Sequence, residues 1–472
     1  MLKVLERIGQ WRLNGLVVVL LRLLLGGVFL LSGFAKAIDP WGTMYKIQEY
    51  LAIMGMDSLH DFSGFFAVAL SSIEFLCGVC IISGMYKRMS CVLALMALLV
   101  FTPITFYIAV TGKVTECGCF GDVVELTNWQ SFFKNLVLLL ITCYLLIYNK
   151  RVVIYGVSMQ WLVTMTSLGF IGYVEFVGFE YQPMIDFRPY KVGLPLPVSD
   201  ADEGLSDGDN YEFLYENSKG EVHRFAINDS MPDDDDAEWT FIGREFKGSR
   251  SEQAKVADGE VMPIAFLDDG ENVAPQVITP QGEQLLLLFP DLSEVSIKYT
   301  YLINELTEFA RRKGADVVAL TDATDKEKAE WYDLSMADYK LYDCDDTLLK
   351  TIARGNPAVV YVKHGIVQWK RTLESVVSDR LIAGGYNLTS VNSDFNPELW
   401  LKSAFVPCFI VFLIMFTTNT TWSIAKLTIK TLKKIKNKAV NLQGETGSAE
   451  DGAEVAETPA DDPPEEKEKP AD

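Results

Sequence analysis

The sequence contains no Walker, Rossmann or zinc-protease motif, so the common signatures of nucleotide, dinucleotide and zinc-dependent catalysis are missing. It has no basic stretch interleaved with aromatics. Asp and Glu number 63 against 42 Lys and Arg, and that excess argues against a nucleic-acid partner. The acidic run 233–236 lacks the spaced ligands and turn glycine of a calcium loop and reads as a solvated loop. Histidine is scarce, and His223 and His364 lie near no nucleophile pattern. No small-residue cleavage site follows the first apolar run. Lys3, Arg7 and Arg12 therefore flank a retained membrane helix rather than a signal peptide.

What is present is segregated. Apolar residues crowd into 13–179 and 403–417, acidic ones into 198–275 and 445–472. A helix needs about 20 apolar residues to cross a bilayer, and six stretches qualify: 13–34, 62–84, 89–111, 131–149, 152–176 and 402–421. Basic clusters set their orientation. Lys3, Arg7 and Arg12 precede the first span, Lys87 and Arg88 follow the second, and Lys150 and Arg151 follow the fourth. Lys426, Lys430, Lys433, Lys434, Lys436 and Lys438 follow the sixth. With six spans all four clusters share one side. The expected protein lies in a bacterial inner membrane with both termini cytoplasmic and residues 177–401 on the periplasmic side. The tail 422–472, basic and then acidic, is expected to be disordered.

The region outside the membrane divides in two. Segment 177–283 is β-rich, with strands expected at 211–215, 221–227 and 238–242. In 284–401, strands at 285–289, 316–320, 339–342, 358–362 and 366–370 alternate with helices at 294–313, 326–334 and 347–353. Asn356-Pro357 opens the strand 358–362. This order resembles a thioredoxin fold, in which that proline is cis and faces the active-site disulfide. A thioredoxin carries Cys-x-x-Cys after its first strand. Here the stretch is Pro290-Asp291-Leu292-Ser293-Glu294. The resemblance therefore implies a thioredoxin-like domain without its redox pair. Cys344 is its only thiol and reads as structural.

The first four spans, within 1–151, resemble the DoxX/MauE group of four-helix membrane proteins. The residues that carry the resemblance are Arg22 to Lys36 with Gly33, Glu74 to Gly84 with Gly78, and the loop Cys117-Gly118-Cys119-Phe120-Gly121-Asp122. The combination with a thioredoxin-like domain resembles membrane proteins of Bacteroidetes type. MauE-like members are implicated in maturing the disulfide-rich small subunit of methylamine dehydrogenase, and DoxX-like members are tied to quinone-linked oxidation. The resemblance implies a theme of extracytoplasmic thiol redox. The fold class expected is an α-helical polytopic membrane protein: a four-helix DoxX-like bundle plus two further spans, an extracytoplasmic α/β thioredoxin-like domain and a small β-rich subdomain.

Cys117 and Cys119 are the candidate reactive pair. A Cys-x-Cys disulfide closes a tight ring that exchanges readily, and Gly118 supplies the backbone freedom the ring needs. Three readings stay open: thiol exchange or electron relay, a loop staple, and metal binding with Asp122, which falls short of four ligands. Trp129, Phe132, Phe133 and Lys134 are candidates to line a quinone pocket beside the pair. Cys77 and Cys80 also fit Cys-x-x-Cys but lie within a span and read as apolar packing, as do Cys91, Cys143 and Cys408. Arg22 and Glu74 are ionisable residues inside spans and are expected to form a buried ion pair. Two functions compete. One is a membrane redox or maturation accessory protein acting on client proteins. The other is a non-catalytic assembly subunit of an envelope complex, with the thioredoxin-like domain as its protein-binding surface. A transporter is disfavoured, because no inverted repeat or broken helix is evident.

Overall fold

The computed structural model describes residues 2–112, 118, 120–124, 126–148, 157–198, 211–217, 222–226, 239–246, 263–268, 270–279, 282–376, 387–389 and 396–450. The chain opens with α1 (Leu2–Ile38), α2 (Pro40–Ile53) and a 3-10 turn at Asp57–Phe62, followed by α3 (Ser63–Ser83), α4 (Lys87–Thr111), α5 (Asn128–Tyr148) and α6 (Val157–Glu180). Six helices among the described residues are long and apolar enough to cross a membrane: Gly15–Ile38, Ser58–Ser83, Lys87–Thr111, Asn128–Ile147, Met159–Glu180 and Pro397–Asn437. Leu16, Leu20, Leu23 and Leu24 of α1 and Met89, Val92, Leu93 and Met96 of α4 are exposed. Such faces are penalised by water and accepted by lipid.

Small residues let α1 and α3 approach closely. A Cβ at Gly33 would collide with the backbone of Phe75, and one at Gly78 with the backbone of Leu30 and Gly26. Helix α2 occupies a stretch that hydropathy alone leaves as a loop. Its start signal is local: Asp39 caps it by accepting from Gly42 N at 3.0 Å, with Pro40 in the first turn. The fifth span runs about four residues further than expected, to Glu180.

Beyond α6, β1 (Tyr211–Asn217), β2 (Val222–Ala226) and β3 (Trp239–Phe246) form an antiparallel sheet in the order β2-β1-β3. The larger sheet comprises β4 (Leu267–Asp268), β5 (Glu271–Asn272), β6 (Glu283–Phe289), β7 (Asp316–Thr321), β8 (Leu341–Asp343), β9 (Ala358–Lys363) and β10 (Ile366–Thr372). Its helices are α7 (Ala274–Val277), α8 (Thr300–Arg312), α9 (Asp325–Ser335) and α10 (Asp346–Ile352). The strand order is β10-β9-β6-β7-β8-β4-β5. The β6-β7 and β7-β8 pairs are parallel, and β9 runs antiparallel to both β6 and β10. Alternation along β6 divides the core. Leu285, Leu287 and Phe289 pack with Ile303, Leu306 and Trp331, whereas Leu286 and Leu288 pack with Phe266, Leu349 and Ile352. A strand buried on both faces reads as the continuous apolar run seen here. The Asn356-Pro357 bond is cis.

Two compact units are resolved, 1–410 and 411–472. The last helix, α11 (Pro397–Glu450), continues through both. A tail disordered from residue 422 was the expectation, yet 422–450 is helical. Between Trp422 and Gln443 there is no Gly or Pro, and Lys, Leu, Ile and Ala keep the helix going.

A bundle cavity beside the Lys36–Glu74 pair

The two helices that pack on their glycines also set the relative depth of Arg22, Lys36 and Glu74. Gly26 faces Gly78 and Gly33 faces Ser71, so Arg22 comes level with Ile81 and Ile82. Its Nε donates to Ile81 O at 2.9 Å and its Nη2 to Ile82 O at 3.2 Å. Glu74 lies about 12 Å further along the bundle, eight residues at 1.5 Å each. The expected Arg22–Glu74 pair is therefore corrected. Lys36 Nζ sits 2.7 Å from Glu74 Oε2 and donates to Ser32 Oγ at 2.7 Å. Lys36 was legible as the last residue of the first helix motif. What the sequence could not show was the glycine register that aligns it with Glu74. A second buried carboxylate, Glu175 of α6, accepts from Ser71 Oγ at 2.5 Å and Ser72 Oγ at 3.1 Å.

The Lys36–Glu74 pair borders a cavity of about 100 Å³ inside the bundle. Leu98, Phe101, Ile104 and Leu138 give it apolar walls, and Gly118 also lines it. Gly118 adopts φ +62° and approaches the Lys46 side chain. Lys134 also lines the cavity, with its ammonium 4.4 Å from the centre of the Phe120 ring. The other three residues expected around a quinone do not line it. Trp129 and Phe133 are exposed; Trp129 meets the Phe132 ring edge-on and Phe133 meets it at a tilt. The reason is helical geometry: at about 100° per residue, 134, 135 and 138 share one face of α5, and 129, 132 and 133 the opposite one. Cys117 and Cys119 lie outside the described residues. Cys77 and Cys80 are buried free thiols of α3. Cys344 is buried, its Sγ 3.7 Å from Ala265 O.

The end of the loop is fixed by the sheet domain. Arg354, just before the cis proline, is buried and reaches across to the helical part. Its Nε and Nη2 grip Asp39 at 2.6–3.1 Å, and Nη2 also reaches Asp122 Oδ2 at 2.8 Å. Nη1 donates to Lys350 O at 2.7 Å, and the Arg354 backbone pairs with the Gln182 amide on both sides. Burial opposes charge on all three side chains. It is outweighed at Asp39, where Arg354 and Arg188 hold the carboxyl below its ordinary value. It wins at Asp122, which has a single contact with the guanidinium and is raised. Arg354 itself is raised despite its burial, through Asp39 and Asp122. Beside them Asp186 bridges Arg188 at 2.8 Å and Lys370 at 3.1 Å. Burial pushes Lys370 down to about 7, while Asp186, against burial, is held at about 2 by Arg188 and Lys370.

The stretch 290–294 faces the same junction. Asp291 Oδ1 accepts from Ser293 N, Ser293 Oγ and Glu294 N, and Asn356 Nδ2 donates to Asp291 O at 2.6 Å. Glu294 Oε1 lies 3.4 Å from His60 Nδ1 of the 3-10 turn. Sequence reasoning missed Asp39, Arg354 and Gln182 entirely. Only Asp122 had been singled out, as part of the loop motif.

Fold and site together describe a polytopic membrane protein carrying a mixed-sheet domain. Residues 14–148, which span the cavity-forming helices, match the family model described as methylamine utilisation protein MauE. No curated protein and no solved structure matches the chain.

Proposed function

We propose that the chain is a membrane redox accessory protein in which Cys117 and Cys119 exchange disulfides with client proteins on the non-cytoplasmic side. The observation that carries this reading is the position of Gly118. The residue between the two cysteines lines the cavity, and Asp122 three residues beyond Cys119 is clamped by Arg354. In the exchange, client dithiol and loop disulfide become client disulfide and loop dithiol. The loop dithiol then passes two electrons and two protons to an acceptor. A quinone head group fits the cavity: its walls are apolar, and Lys134 has no carboxylate partner among the described residues. When bound, a quinone would accept the two electrons. Lys134 and the Lys36–Glu74 pair would orient its carbonyl oxygens.

The MauE match supports an accessory role in methylamine utilisation. The strand order β10-β9-β6-β7 and the cis proline before β9 support the thioredoxin-like reading of the sheet domain. With no cysteine in the stretch 290–294, that domain holds the loop rather than exchanging disulfides. This last point also favours the second reading, a non-catalytic assembly subunit. The two separate in a trapping experiment with Cys119→Ser. A client held through Cys117 in a mixed disulfide is expected, and no captured client across oxidising and reducing conditions would overturn the redox reading.

A further inference from the structure

Helix α11 has 54 residues. At about 1.5 Å per residue it is about 80 Å long, whereas the hydrocarbon core of a bilayer is about 30 Å thick. The apolar run up to Thr421 accounts for one crossing, and the helix continues. Its continuation is two-faced. Trp422, Ile424, Ile429, Leu432 and Ile435 are all exposed. At about 100° per residue they fall within one arc of about 160°. Lys426, Lys430, Lys433 and Lys434 are exposed on the complementary arc. Lys436 lies within the apolar arc, on a stem long enough to carry its ammonium to the edge. The sequence has no Asp or Glu between Glu398 and Glu445, so no carboxylate on this stretch of helix pairs with the lysines. Lys426 instead stands over the Trp422 ring at 5.4 Å.

A helix projecting straight into water would leave the apolar arc wet. A coiled-coil seam would need apolar residues at alternating spacings of three and four, and the spacings here are two, five, three and three. We propose that α11 bends at the threonines before Trp422, where the Thr418 and Thr420 hydroxyls bond back to the carbonyls of Ile414 and Phe416, so that residues 422–437 lie along the bilayer surface, with the apolar arc in the acyl boundary and the lysines on anionic phospholipid headgroups. Continuity with a membrane-spanning stretch places the segment at that surface, and its lysines, with no carboxylate along the same stretch of helix, select an anionic one.

The test uses the full-length protein in nanodiscs of phosphatidylcholine, with or without phosphatidylglycerol, under limited tryptic digestion. Cleavage after Lys430, Lys433 and Lys434 is expected to slow about ten-fold in the discs that contain phosphatidylglycerol. The protection is expected to vanish in high salt and in an Ile429→Asp, Ile435→Asp double variant. Unchanged cleavage within the sheet domain shows that this variant is folded. Equal cleavage in the two lipids would overturn the proposal. So would protection that ignores lipid charge and rises with protein concentration, which would assign the face to a second copy of the chain.

Discussion

Arg354 is the residue on which the junction turns. Removing it leaves buried Asp39 with no cation in contact and only Arg188 at longer range, and breaking such a pair costs about 3–5 kcal/mol. Asp122 is 42% exposed and adds little to that. Arg354→Ala is therefore expected to lower the thermal midpoint of the detergent-purified protein sharply. Arg354→Lys should fall between, because it keeps the charge and loses the two-pronged grip. Lys370 gives a pH signature. An unfolded lysine holds its proton to about pH 10.4, but the buried one releases it at about 7. Unfolding between those values takes up a proton, so stability rises with pH, by at most about 1.4 kcal/mol per unit. The wild-type midpoint should climb from pH 7 to 9, and Lys370→Met should flatten that climb. Asp186 acts at the other end: its contribution is present above about pH 4 and is lost as pH falls through about 2. None of these roles was legible in sequence, because Asp39, Asp186, Arg354 and Lys370 are dispersed along the chain and belong to no motif. Glu74 was legible as a buried charge, but its partner depended on helix register.

At the level of elements, the sequence was most informative where one period dominates. The apolar runs marked all six long helices, and the alternating or continuous runs marked β6, β7, β9 and β10 to within two residues. It was least informative at α2 and α11. The first is short and set by a cap, and the second was masked by its charge. The aromatic cluster of α5 illustrates a different limit. Proximity in sequence placed Trp129, Phe132 and Phe133 with Lys134, and helical rotation separates them. Neighbouring glycines in α1 test the packing account. Gly26→Ala and Gly33→Ala introduce a Cβ against α3, whereas at Gly27 nothing lies within 4 Å. The first two are expected to lower the thermal midpoint, by about 1–3 kcal/mol in stability. Gly27→Ala should leave it unchanged, and an equal loss at all three would refute the close α1–α3 contact.

Across the first compact unit, the sheet domain and the helices share one site. The cis-proline loop and the 290–294 turn meet α2, the 3-10 turn and the end of the Cys-Gly-Cys-Phe-Gly-Asp loop, and Gly118 of that loop lines the cavity. The central claim is that the loop thiols cycle rather than staple the loop. It is tested most directly by acid-quenching intact membranes and alkylating the thiols, then reading the oxidation state of Cys117 and Cys119 in wild type and in Lys134→Met. The account gives a mixed population in wild type that shifts toward the dithiol in the variant, where the acceptor is held less well. A pair that stays fully oxidised in both, and resists mild reductant, would contradict it.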